Sequence, residues 1–204
     1  MLIKPSNMTK KTLIMPIFVR ITHWLNVIAV TVMIMSGLKI YNASPIFNFL
    51  MPKELTIGGW LGGALLWHFS FMWLLFANGI TYLFLNFSTG RFFKKFLPIS
   101  ISELIHDVID TLKGVLAHDD LSRYNAVQKL AYLSVIIDLI LLVMSGLAIW
   151  KPVQFSGLAV LMGGFDNARI VHFFAMFYVV FFIVVHLIMV ALVPKTLLIM
   201  IKGR

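Results

Sequence analysis

The chain contains no cysteine. That absence excludes disulfides, thiolate-held iron–sulfur clusters and covalently attached c-type haem, which needs C-x-x-C-H. Charge is scarce as well: 12% of residues are Asp, Glu, Lys or Arg, against about 25% in an average soluble domain. Acids are scarcest, with 8 Asp and Glu beside 17 Lys and Arg, for a net charge of +9. Hydrophobic residues make up 60% of the chain, and mean hydropathy is +0.95. This is the composition of an integral membrane protein. A length of 204 residues leaves room for one domain, residues 1–204. The basic surplus does not point to nucleic acid, because the cations sit between the apolar runs, the pattern that sets membrane orientation.

Four apolar stretches are long enough to cross a bilayer, which takes roughly 20 residues as a helix. They run from Ile21 to Leu38, within Leu55 to Gly90, from Leu130 to Trp150 with Asp138 inside, and from Ile170 to Pro194. The first follows Lys4, Lys10, Lys11 and Arg20 and exceeds a signal-peptide core, so it is expected to be a retained span. Four spans put both termini on one side. The termini and the central loop hold 13 of the 17 Lys and Arg. The positive-inside rule therefore predicts that they lie in the cytoplasm. The expected fold is an all-α membrane protein, a four-transmembrane-helix bundle.

The central loop has a pattern of its own. Ser100-Ile101-Ser102-Glu103 matches a capping box at a helix start. Ile101, Leu104, Ile105, Val108, Ile109, Leu112, Val115 and Leu116 then recur at helical spacing. A short amphipathic helix on the cytoplasmic membrane surface is expected. Spans one and three also share an echo, Met35-Ser36-Gly37-Leu38 and Met144-Ser145-Gly146-Leu147.

Four of the six histidines lie in spans: His23, His68, His172 and His186. His172 and His186 are fourteen residues apart in an uncharged run. That is nearly four helical turns, so both imidazoles leave one face, roughly 21 Å apart along the axis. By topology His23 and His186 share the inner level, and His68 and His172 the outer one. Facing neutral imidazoles are the usual axial ligands of low-spin b-type haem, and two of them leave no open iron position. Electron transfer follows more naturally than oxygen chemistry. Gly37, fourteen residues after His23, and Gly79, eleven after His68, fall where a flat porphyrin would meet a helix. His106 and His118 fall in the central loop and are expected to be solvated.

The segments RITHWLNVIAVTVMIMSGLKIYNASP, WHFSFMWLLFANGITYL, RYNAVQKLAYL and ARIVHFFAMFYVVFFIVVHLIMV carry a family resemblance. Together they resemble the cytochrome b subunit of bacterial membrane-bound molybdopterin-dependent oxidoreductases, the thiosulfate reductase cytochrome b type. That family stands with the b561-type cytochromes and the b subunits of nickel hydrogenases and formate dehydrogenase. The resemblance implies a di-haem electron carrier of the inner membrane that links quinone to a periplasmic molybdopterin-dependent oxidoreductase subunit. It implies the iron pairs His23/His186 and His68/His172, in agreement with their depths. Its likeness to the formate dehydrogenase subunit places quinone beside the cytoplasmic pair, near His23, Asn26 and Tyr124–Gln128. A second reading is a stand-alone cytochrome that oxidises superoxide and reduces quinone.

Three further features bear on this expectation. Arg20 and Arg169 each stand three residues before a histidine, on nearly the same helix face. They are candidate partners for anionic haem propionates, or ordinary boundary anchors. Asp138 is an acid about halfway down span three, expensive there and a candidate proton relay, with Ser134 one turn away as a hydrogen-bond partner. The Phe-rich run of span four reads as packing and lipid contact, with Phe182 the one on the histidine face between the two levels.

Overall fold

The computed structural model describes residues 14–113 and 124–204. His118, Val115, Leu116, Arg123 and the N-terminal lysines lie outside the described residues. Eight helices carry the described chain: α1 Ile17–Ala43, α2 Leu61–Ser88, α3 Arg91–Phe96, α4 Ile101–Leu112, α5 Ala126–Trp150, α6 Ser156–Leu161, α7 Phe165–Leu192 and α8 Lys195–Lys202. A 3-10 turn at Lys53–Leu55 interrupts the α1–α2 connection. No strand occurs among the described residues.

Helices α1, α2, α5 and α7, of 25 to 28 residues, are the four long and apolar enough to span a membrane. At 1.5 Å per residue they run about 40 Å, enough to cross the ~30 Å hydrocarbon core and continue into the headgroups. Arg20, Lys129, Asp166 and Arg169 consequently lie inside helices rather than before them. Large apolar side chains face outward, as lipid demands: Leu66, Trp73, Phe84, Ile137 and Phe181 are among the exposed ones. The buried contacts are small residues. Ala29, Ser36, Ala64, Ser145, Ala148 and Ala168 have no accessible surface at all. Lipid tails are as apolar as leucine, so membrane helices associate by close backbone approach over small side chains.

Close backbone contacts concentrate within two pairs, α1 with α2 and α5 with α7. Between the pairs, side chains rather than backbones meet. The contacts also fix directions. The end of α1 meets the start of α2, and the end of α5 meets the start of α7, through Ser36–His68 and Ser145–His172. The start of α1 meets the end of α7 through His23–His186. Each pair is therefore antiparallel, and α1 runs with α5.

Both ends of the bundle are closed by aromatic clusters. The α1–α2 connection folds over one end, where Tyr41 donates to the carbonyls of Phe47 (3.3 Å) and Phe49 (3.1 Å). Asn42 pairs twice with the Met51 backbone, at 2.9 and 2.8 Å. Phe173 packs among Tyr41, Phe47 and Phe177 with ring centres 5.1, 5.2 and 4.7 Å away. At the other end, Phe96 of α3 meets Tyr124 at 5.9 Å, and Tyr124 meets Tyr132 at 5.0 Å. Burial there raises the Tyr124 phenol above its ordinary value, with Arg91 beside it pulling the other way.

The expected amphipathic helix is present as α4, with Ser100 at its start accepting from the Glu103 amide at 3.5 Å. Its apolar residues Ile101, Ile105, Val108 and Ile109 are exposed. Its Asp107 carboxylate accepts from the first amide of α5, Ala126, at 2.6 Å. Helix α4 thus turns a polar residue to the bundle and an apolar stripe outward.

Candidate functional site

The four span histidines meet in the two combinations that depth suggested. The rings of His23 and His186 lie 6.2 Å apart at 61°, and those of His68 and His172 lie 6.5 Å apart at 66°. Both pairs bridge the separation between the α1–α2 and α5–α7 hairpins, and α7 contributes one ring to each. All four rings are partly buried. An atom bound between two imidazoles through metal–nitrogen bonds of about 2 Å holds the ring centres roughly 6 Å apart. The donor sets, their separations and the parting of the two hairpins fit an axially ligated haem at either level.

The His68/His172 level is the more elaborate. Ser36 lies 3.0 Å from Nδ1 of His68, and Ser145 lies 2.9 Å from Nδ1 of His172. The next residue in each case is a glycine packed beneath the same ring. A Cβ on Gly37 would lie 3.5 Å from His68 Cε1, and one on Gly146 would lie 3.4 Å from His172 Cε1. The Met-Ser-Gly-Leu echo therefore places a hydroxyl and a bare backbone against each ring of one level. Sequence reasoning singled out Gly37 but not Ser36, Ser145 or Gly146; the repeated tetrapeptide was the available signal. Around Gly79 a Cβ would meet no atom within 4 Å.

At the His23/His186 level, Phe182 stacks on His186 with ring centres 5.9 Å apart at 9°. Phe182 in turn touches Tyr132 at 6.5 Å, so the aromatic cluster reaches that level through one ring. Asn78 donates to Asn26 Oδ1 at 2.6 Å and to the Thr22 carbonyl at 2.7 Å, tying α2 to α1 beside His23.

Both arginines sit at helix ends. Arg20 donates to the Ile201 carbonyl and, at 3.4 Å, to that of Met200, holding α8 against α1. Arg169 donates to the carbonyl and hydroxyl of Ser44, just past the end of α1. These are favourable cation positions, because helix C-termini present unsatisfied carbonyls. Asn125 and Gln128 form the capping box of α5: the Gln128 amide donates to Asn125 Oδ1 at 2.7 Å, and the Asn125 amide donates to Gln128 Oε1 at 3.2 Å. The hydrogen bond expected between Asp138 and Ser134 is not made. Ser134 instead donates to the Ala131 carbonyl (2.9 Å) and accepts from Tyr178 of α7 (2.6 Å). Asp138 Oδ2 is buried with no partner among the described residues.

A four-helix membrane bundle free of cysteine, with facing histidines bridging its two hairpins, defines a membrane cytochrome of the b type. The chain belongs to the family described as prokaryotic cytochrome b561, whose profile matches residues 14–203. It is also 55% identical, over 189 residues, to an Azospira oryzae protein described as a putative protein-methionine-sulfoxide reductase subunit, YedZ1. That match covers 93% of this chain and 96% of the relative. The protein is thus a multi-pass, haem b-binding electron carrier of a bacterial inner membrane.

Proposed function

We propose that the chain is a di-haem cytochrome b that moves electrons between the quinone pool and a partner oxidoreductase. The observation that carries this reading is the pair of imidazole pairs, 6.2 and 6.5 Å between ring centres, both anchored on α7. His23 and His186 hold one haem iron, and His68 and His172 the other. Bound haem supplies a one-electron couple at each level. Each imidazole pair would hold its haem among lipid-facing helices, and two histidine ligands per iron would favour electron transfer over oxygen chemistry. Gly37 makes room for the His68 ring and Gly79 leaves open space on α2, while Arg20 and Arg169, three residues before His23 and His172, would be the cations to meet haem propionates.

The distribution of Lys and Arg supports cytoplasmic termini. On that orientation the His68/His172 level lies toward the periplasm and the His23/His186 level toward the cytoplasm. The quinone site belongs beside the latter, near His23 and Tyr124, where the aromatic cluster approaches His186 through Phe182. The partner, a molybdopterin-dependent subunit, docks on the periplasmic side. Identity of 55% across 93% of the chain favours a partner that reduces methionine sulfoxide in proteins over one of the thiosulfate reductase type.

The test is haem content per chain, with reduced-minus-oxidised spectra, for wild type, His68→Ala and His23→Ala. Two b haems falling to one in each variant, with different spectra left behind, is the expected result. One haem in the folded wild type overturns the di-haem reading.

A further inference from the structure

We propose that Ser36 and Ser145 are positioning residues, each accepting the Nδ1–H of the histidine facing it and so presenting Nε2 to the iron. The inference rests on the di-haem reading above, and it makes the two haem sites chemically unequal. The proton count carries it. The Ser36 hydroxyl lies 2.7 Å from the Val32 carbonyl and 3.2 Å from that of Met33. Ser145 repeats this with Leu141 at 2.7 Å and Leu142 at 3.2 Å. A carbonyl only accepts, so each serine gives its one proton to its own helix. What it offers His68 or His172 is a lone pair, and Nδ1 must carry the hydrogen. In a neutral imidazole Nε2 then keeps the free lone pair that a metal needs.

Serines that bond back to the preceding turn are common in helices and commonly mean nothing more. Here two of them do so in the same tetrapeptide, on different helices, against the two opposed ligands of one level. Both are fully buried, so water does not compete for the bond. Gly37 and Gly146 bring the rings close enough to make it. The other level has no counterpart: among the described residues neither His23 nor His186 has a hydrogen-bond partner. An outer hydrogen bond to a metal-bound imidazole fixes the ring and raises its basicity, which favours the oxidised metal. The serine-supported haem should therefore have the lower potential for its own sake, and lose that bias when the hydroxyls go.

The test uses the full chain in detergent: Ser36→Ala, Ser145→Ala, the double variant and the Thr variants, by redox titration and low-temperature EPR. The His68→Ala spectrum identifies which haem is which. The expected result is an upward shift of one midpoint in each Ala variant, larger in the double, with an altered low-spin signal for that haem alone. Thr restores both. Selective loss of that haem, about tenfold in occupancy under competition, also supports the proposal. Unchanged midpoints in a double variant that keeps two haems overturn it, as does an equal shift of both. A wild type with fewer than two haems would instead overturn the di-haem reading beneath it.

Discussion

Glycine 146 and aspartate 138 show how differently single residues on one helix can be placed. Gly146 meets His172 at the limit of ordinary contact, 3.4 Å from a hypothetical Cβ. A long branched side chain there must displace the ring. Gly146→Leu should cost the His68/His172 haem while leaving the other, giving half the wild-type haem absorbance per chain. Asp138 has a buried carboxylate oxygen that no described residue satisfies. An unsatisfied buried polar atom costs roughly 1–3 kcal/mol, a cost that an idle residue would not need to carry. If Asp138 relays protons, Asp138→Asn should slow quinol-coupled haem reduction while leaving haem content intact; unchanged rates would make it a structural oddity. The histidines were legible in the sequence, because fourteen residues on a helix fix both face and depth. The partners of Ser134 and Ser145 were not. A hydroxyl chooses among neighbours that only helix packing supplies, and Tyr178 took the place that local spacing offered to Asp138.

Among the elements, the spans announced themselves through uncharged length, but their ends did not. Helices continue past the apolar core where a cation finds a partner at the boundary, as Arg20 does on the last carbonyls of α8 and Arg169 on Ser44 past the end of α1. The start of α5 is another matter. Asn125-Ala126-Val127-Gln128 follows the same rule as Ser100–Glu103, and the structure shows both of its reciprocal bonds. Asn125→Ala removes one of them and should lower stability by about 1 kcal/mol, read as a lower unfolding midpoint in detergent with the haem spectrum unchanged beforehand. Helix α4 reports on its surroundings in a different way. With Asp107 fastened to α5 and its isoleucines outward, it has the geometry of an element resting on the bilayer surface.

For the molecule as a whole, sidedness is the property most open to test. The absence of cysteine makes single-cysteine labelling clean. Lys53→Cys should react with an impermeant maleimide in intact cells, and Lys113→Cys only after the inner membrane is opened; the reverse pattern would invert the molecule. Within the bundle, the Met-Ser-Gly-Leu repeat extends into a longer arithmetic. Tyr132 precedes Ser145 by thirteen residues as His23 precedes Ser36, and Tyr82 follows His68 by fourteen as His186 follows His172. Exchanging the α1–α2 and α5–α7 hairpins thus returns His68 and His172 to each other, yet carries His23 and His186 onto Tyr132 and Tyr82. By sequence register the two hairpins are near-equivalent: at one level the exchange returns imidazole to imidazole, while at the other only one of the two corresponding pairs keeps its imidazoles. Whatever approaches that level meets two imidazoles in one register and two phenols in the other, and an electron carrier can be ligated only by the first.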